Sequence, residues 1–258
     1  EQQFLDGTAR LHQVDNLPES DQGAEVLVVM PSGAERQKIP ISKAAENLIQ
    51  HQIEVHLEDL DEPRIRYTRV VSGRFDSATR HRFTGSMKEQ MEEAETLLTG
   101  LFGPLKSELV TEDWPDFENL SVSPTMTFLA NPASIGRTGD RGLELPVSFN
   151  KLNLLQGIAS EQVRQSDLLL GVPWTREITL TYYLPQGARA SLPDSRFLNF
   201  PQLDFSFGFS SNQNKVTLTE TFILQTHRIK PSPYLQFRQA CREVDEIQNI
   251  FLQVDLNP

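Results

Sequence analysis

Leu203, Phe205, Phe207 and Phe209 occupy alternate positions, with Asp204, Ser206 and Gly208 between them. Successive side chains of an extended chain point to opposite faces, so this spacing makes a strand with one apolar and one wet face. The same alternation runs through Ile178, Leu180, Tyr182 and Leu184, and through Ile53, Val55 and Leu57. Leu143, Leu145, Val147 and Phe149 repeat it. A chain patterned this way must build antiparallel sheets and bury one face of each. Strands are also expected over Glu25–Met30, Arg64–Phe75, Leu105–Trp114 and Val122–Leu129. The region up to about Arg82 reads entirely as strands. Val216 onward pairs back on the Phe-rich strand through the polar loop at 210–214, making a hairpin with a long loop.

The period changes twice. Met87, Met91, Ala94, Leu98, Leu101 and Phe102 recur at three- and four-residue steps. Ser86 and Glu89 have capping-box spacing, and Gly103-Pro104 stops the run. Near the other end, Phe237, Cys241, Val244, Ile247 or Gln248, and Phe251 form one stripe behind Pro231-Ser232-Pro233. Helices are thus expected near 86–102 and 233–252, with a short one across 150–160. The stripe should cover the sheet that carries Phe205 and Phe207. The expected class is mainly β (α+β), antiparallel β-sandwich domains with peripheral helices.

With 258 residues the chain suits one large domain or two of about 100–150 residues. Each half holds strands and one long helix, so two lobes are expected, 1–117 and 118–258. The loop at 131–142 is the alternative boundary. The net charge of -11 argues against nucleic-acid binding and against docking on anionic lipid. No stretch reaches the roughly 20 apolar residues of a membrane span.

Candidate chemistry is sparse. Cys241 is the only cysteine, so no intrachain disulfide forms, and its position on the helical stripe reads as a packed thiol. His12, His51, His56, His81 and His227 lack metal-ligand spacing, and His51 and His56 fall on opposite faces of one strand. No metal and no cofactor is expected. The acidic run at 58–62 lacks a calcium loop's spacing and reads as a solvated turn. Gly136, Gly139 and Gly142 neither follow the right strand nor open a helix, so they make no phosphate cradle. Trp114 and Trp174 suit core packing, or else the lining of a carbohydrate or peptide groove.

Several short motifs carry a family resemblance. Arg164-Gln165-Ser166-Asp167-Leu168 leads to a strand ending in Tyr183-Leu184-Pro185-Gln186-Gly187, then Ser191-Leu192-Pro193. Pro231-Ser232-Pro233-Tyr234-Leu235-Gln236-Phe237-Arg238 follows, continuing to Glu243-Val244-Asp245. This pattern resembles the C-terminal β-rich region of exported bacterial transglutaminase-like proteins, a flanking domain of unknown function. The opening Phe4-Leu5-Asp6-Gly7-Thr8 looks like the last strand of such a catalytic core, with Gly7 where the family has Pro. The resemblance implies a longer parent polypeptide and a periplasmic or envelope location. It implies that Asp6 would orient a His that activates a Cys, both upstream. The implied function is a non-catalytic interaction or scaffolding region, its partner another protein or the upstream catalytic domain. A carbohydrate- or peptide-binding β-sandwich module and a carbohydrate-active enzyme domain are the alternatives.

Overall fold

The computed structural model describes residues 3–14, 16–139 and 142–256. The first half builds β1 (Glu25–Met30), β2 (Gly33–Lys38), β3 (Leu48–His56) and β4 (Arg64–Val71). Helices α1 (Arg74–Arg82) and α2 (Met87–Phe102) follow, then β5 (Val110–Asp113) and β6 (Thr125–Ala130). Next come β7 (Arg137–Gly139), β8 (Gly142–Pro146), α3 (Leu154–Gly157), β9 (Leu168–Leu169) and β10 (Trp174–Tyr183). The chain continues through β11 (Arg189–Ser191), β12 (Arg196–Asn199), β13 (Leu203–Asn212) and β14 (Lys215–Leu224). It closes with β15 (Arg228–Ile229), α4 (Tyr234–Gln248) and β16 (Phe251–Asp255). Among the described residues the protein is mainly β, with several antiparallel sheets and four α-helices.

An eight-stranded sheet in the order β12-β13-β14-β10-β3-β4-β6-β5 dominates. All its pairs are antiparallel except β10 with β3, which run parallel with Ile178 opposite His51. That one parallel pair joins strands from the two halves of the chain. The boundary expected at 117/118 lies in the connection between β5 and β6, two neighbours in this sheet. The connection is clamped from the first half by Arg80. Its Nη1 donates to the carbonyls of Phe117 and Asn119 at 2.8 and 2.9 Å, and its Nη2 to that of Val122 at 2.6 Å. Arg80 is itself paired with Asp76, and both are buried. A four-stranded sheet, β11-β16-β8-β7, contributes Leu145, Leu252 and Val254 to the same buried cluster as Phe205, Leu218 and Tyr67. The two expected lobes therefore share one sheet and one core.

Local chemistry explains most elements. Ser86 caps α2, its Oγ accepting from the Glu89 amide while the Glu89 carboxylate accepts from the Ser86 amide. Ala94, Leu98 and Phe102 are its buried stripe. Along α4 the buried positions are Tyr234, Phe237, Ala240, Cys241, Val244 and Gln248, and the helix packs on β13 as expected.

Several expectations need correction. The strand expected to reach Phe75 ends at Val71, and α1 replaces the strands expected up to Arg82. Gly73 makes the turn at φ 59°, where an added Cβ would lie 2.3 Å from the Glu46 carbonyl oxygen. Helix α4 ends at Gln248, and Phe251 belongs to β16, the strand that joins β11 to β8. The loop between β13 and β14 is a tight turn at Gln213-Asn214, with Gln213 at φ 54°. Within 131–142, Arg137–Gly139 pairs with β8 as a strand. No strand covers the opening run from Gln3 to Thr8.

Candidate functional site

Alternation assigns every side chain of the large sheet to one of two faces. Helices α1, α2 and α4 and the small sheet all pack against one face. Tyr67 meets Phe102 of α2, Glu220 meets Gln248 of α4, and the Tyr182 hydroxyl donates to the Pro146 carbonyl at 2.6 Å. On the four central strands β14, β10, β3 and β4 a histidine and three charged residues interrupt this apolar face: His51, Arg69, Arg176 and Glu220. His51 lies directly opposite Arg69 on β4 and Ile178 on β10, and Ile178 lies opposite Glu220 on β14.

At the Glu220 end of this row the charges are paired, although Arg176 Nε is buried without a partner among the described residues. Arg176 Nη2 donates to Glu220 Oε1 at 2.5 Å and Nη1 to the Asn150 carbonyl at 2.6 Å. Gln248 donates to the other Glu220 oxygen at 2.8 Å and accepts from the Leu152 amide at 2.9 Å. Removing either charge would strand its partner in a dry core. This network locks α4 and the 150–152 loop onto the sheet.

The His51 end is not satisfied. His51 Nδ1 lies 2.8 Å from the Tyr67 hydroxyl, but Nε2 has no hydrogen-bond partner among the described residues. Burial, reinforced by Arg176 and Arg69, holds the imidazole well below its usual range, so the ring is neutral at pH 7. Burial raises the Tyr67 phenol to about 12. Arg69 donates from Nη2 to the Thr79 hydroxyl at 3.2 Å, and its Nε is buried without a partner. Among the described residues no carboxylate pairs with Arg69. Beside these groups is a cavity of about 350 Å³. His51, Arg69, Arg82 and Asn150 line it on one side, and Leu97 and Leu101 of α2 on another.

The opposite face of the sheet is polar. Thr179 pairs with Thr219, Thr181 with Thr217, Thr221 with Ser206 and Thr179 with Gln52. Thr179, Thr219 and Gln52 are exposed. Phe197, opposite Ser206 on edge strand β12, is 72% exposed. Threonine ladders of this kind favour extended backbone and leave hydroxyls facing outward.

The residues singled out in the sequence do not converge. The Asp6 carboxylate accepts from the amide and hydroxyl of Thr8 at 2.8 and 2.7 Å, closing a local turn that holds its pKa below the usual carboxylate value. The nearby His12 points its Nδ1 at the Asn16 carbonyl, 3.1 Å away. Cys241 is fully buried in α4, and burial pushes its thiol up to about 12. His51 and His56 do face opposite ways, and His56 stacks on Tyr183 at 4.4 Å. Among the described residues no group of His, Cys, Asp and Glu is arranged to hold a metal ion. Among the described residues no helix is long and apolar enough to cross a membrane. Trp114 sits among Phe83, Phe117 and Phe128, and Trp174 between Phe75 and Phe222. Gly136 and Gly142 take positive φ at the start of β7 and the start of β8, serving that hairpin; Asp140 and Arg141 lie outside the described residues.

Residues 143–252 match the model of a family described as a domain of unknown function with a solved structure (DUF3858). The matched segment runs from β8 into β16. It holds the Thr179 and Thr219 rows, Arg176 and Asn150, but not His51, Tyr67, Arg69 or Arg82. No curated protein matches the chain. Among solved structures the chain is similar to a putative protease from Parabacteroides distasonis, at 17% identity and a TM-score of 0.35. The likeness covers 39% of this chain and 20% of that one.

Proposed function

We propose that this chain is a non-catalytic interaction region of a larger, transglutaminase-like envelope protein, and that it works through the outer face of its eight-stranded sheet. The observation that carries the reading is the asymmetry of that sheet. One face is buried under α1, α2, α4 and the small sheet. The other presents Thr179, Thr219 and Gln52 in register, with the exposed Phe197 at its edge. An exposed aromatic side chain beside an uncovered polar face is the kind of anchor that protein contacts use. The occupant is the upstream domain of the same polypeptide. Asp6 would then serve that domain's Cys and His, released from its turn with Thr8. A periplasmic or envelope location accompanies the reading, as does the match to a domain of unknown function over 143–252.

Titration of this chain with the separately expressed upstream segment tests it. Binding with amide shifts at Thr179, Thr219 and Phe197 is expected, and Thr219→Arg should weaken it about tenfold or more. Absence of binding, or shifts confined to the helix-covered side, would overturn the proposal. A soluble glycan shifting the same residues would favour the carbohydrate-binding alternative.

A further inference from the structure

We propose that the cavity between α2 and strands β3 and β4 is a binding site for a small organic carboxylate, held by Arg69 beside the buried His51. The site lies on the opposite side of the sheet from the docking face and does not depend on it.

The first support is charge. Arg69 is a partly buried cation whose only side-chain hydrogen bond among the described residues goes to the neutral Thr79 hydroxyl. Arg82 lies beside it, its Nε donating to Glu93 at 2.8 Å on the exposed side of the cavity. Arg176 is close enough to depress His51 but is already paired with Glu220. The chain as a whole carries a net charge of -11, yet it gathers cations here without a matching carboxylate for Arg69. An unpaired charge in a poorly solvated site is costly, and a bound anion offsets that cost.

The second support is a buried donor. His51 is 3% exposed, it lines the cavity, and its Nε2 has no partner. The neutral ring has one N–H. With the Tyr67 hydroxyl donating to Nδ1, that proton sits on Nε2, where no acceptor takes it among the described residues.

The shape selects the ligand. A guanidinium fork matches the two oxygens of a carboxylate in one plane. Leu97, Leu101 and Ile49 offer an apolar wall for the remainder of the molecule. A cavity of about 350 Å³ suits an amphiphilic acid better than a bare inorganic ion. The carboxylate could belong to a free acid or to a peptide C-terminus.

Calorimetric titration of the whole chain with sodium benzoate, N-acetyl-leucine, benzyl alcohol and inorganic phosphate tests the assignment. Benzoate or N-acetyl-leucine should bind with a dissociation constant of about 1 mM or below, and the alcohol and phosphate at least about tenfold more weakly. Tighter N-acetyl-leucine would assign the site to peptide C-termini, and tighter benzoate to free acids. Arg69→Gln should weaken the preferred acid about tenfold or more. Gly100→Phe gives a second variant, because the space beyond that position is open and the side chain would obstruct the cavity mouth. In the unmodified chain the acid should also shift the Nε2 nitrogen resonance of His51. The assignment is overturned if neither acid binds, if phosphate or the alcohol binds equally well, or if a folded Arg69→Gln or Gly100→Phe chain binds the acid unchanged.

Discussion

His51 couples the stability of the protein to pH. Its buried ring is neutral in the folded state, while in the unfolded chain it titrates near 6.5. The folded value is depressed, so the unfolded state takes up the proton first as pH falls. Full stability is present above about 6.5 and is lost as pH drops toward the folded value, by about 1.4 kcal/mol per unit. Unfolding midpoints measured between pH 7.5 and 5.5 should fall for the parent chain. The fall should be much smaller for a His51→Gln variant, and equal slopes would refute the assignment. This site was partly legible in the sequence. His51 stands at the parity of Ile49, Ile53 and Val55, Arg69 at that of Tyr67 and Val71, and Arg176 and Glu220 at the apolar parity of their own strands. A titratable residue at an apolar position of an alternating strand is the signal. That the strands bring these positions together depends on the parallel pairing of β3 with β10, which no local pattern encodes.

At the scale of elements, the alternating strands and the capped helix α2 were readable because their burial is apolar and periodic. Helix α1 was not. Its buried residues are Asp76, Ser77, Thr79 and Arg80, so the side that packs inward looks polar in sequence. Helix α4 looks longer in sequence than it is because Phe251 falls in phase with the helical stripe, although the backbone leaves the helix at Asn249 to form β16. The stripe that does exist supports a direct prediction. Phe237 is fully buried, and Phe237→Ala should cost about 3–5 kcal/mol. Glu243, half-buried at the helix rim, should cost less than about 1 kcal/mol as Glu243→Ala. Chemical denaturation with equal slopes for both variants decides it; a small loss for Phe237→Ala would mean that α4 is a loosely held appendage.

At the scale of the molecule, one sheet gathers strands from both halves and divides its surroundings into a packed side and a wet side. The sequence pattern shows the wet residues but not that strand pairing sets Thr219, Thr179 and Gln52 side by side in one continuous row. That continuity is the basis of the proposed docking role, and the chain's cysteine content allows it to be measured. Cys241 is buried, with its thiol pushed up to about 12, so it should not react with a thiol reagent in the native state. A Thr219→Cys substitution then puts one reactive thiol on the outer face, on β14. The decisive measurement is the alkylation rate at position 219, read by peptide mass spectrometry, in the isolated chain and in the complete polypeptide. The account predicts rapid labelling in the isolated chain and at least about tenfold slower labelling in the complete polypeptide, where the upstream domain covers the face. Equal rates in the two would contradict it.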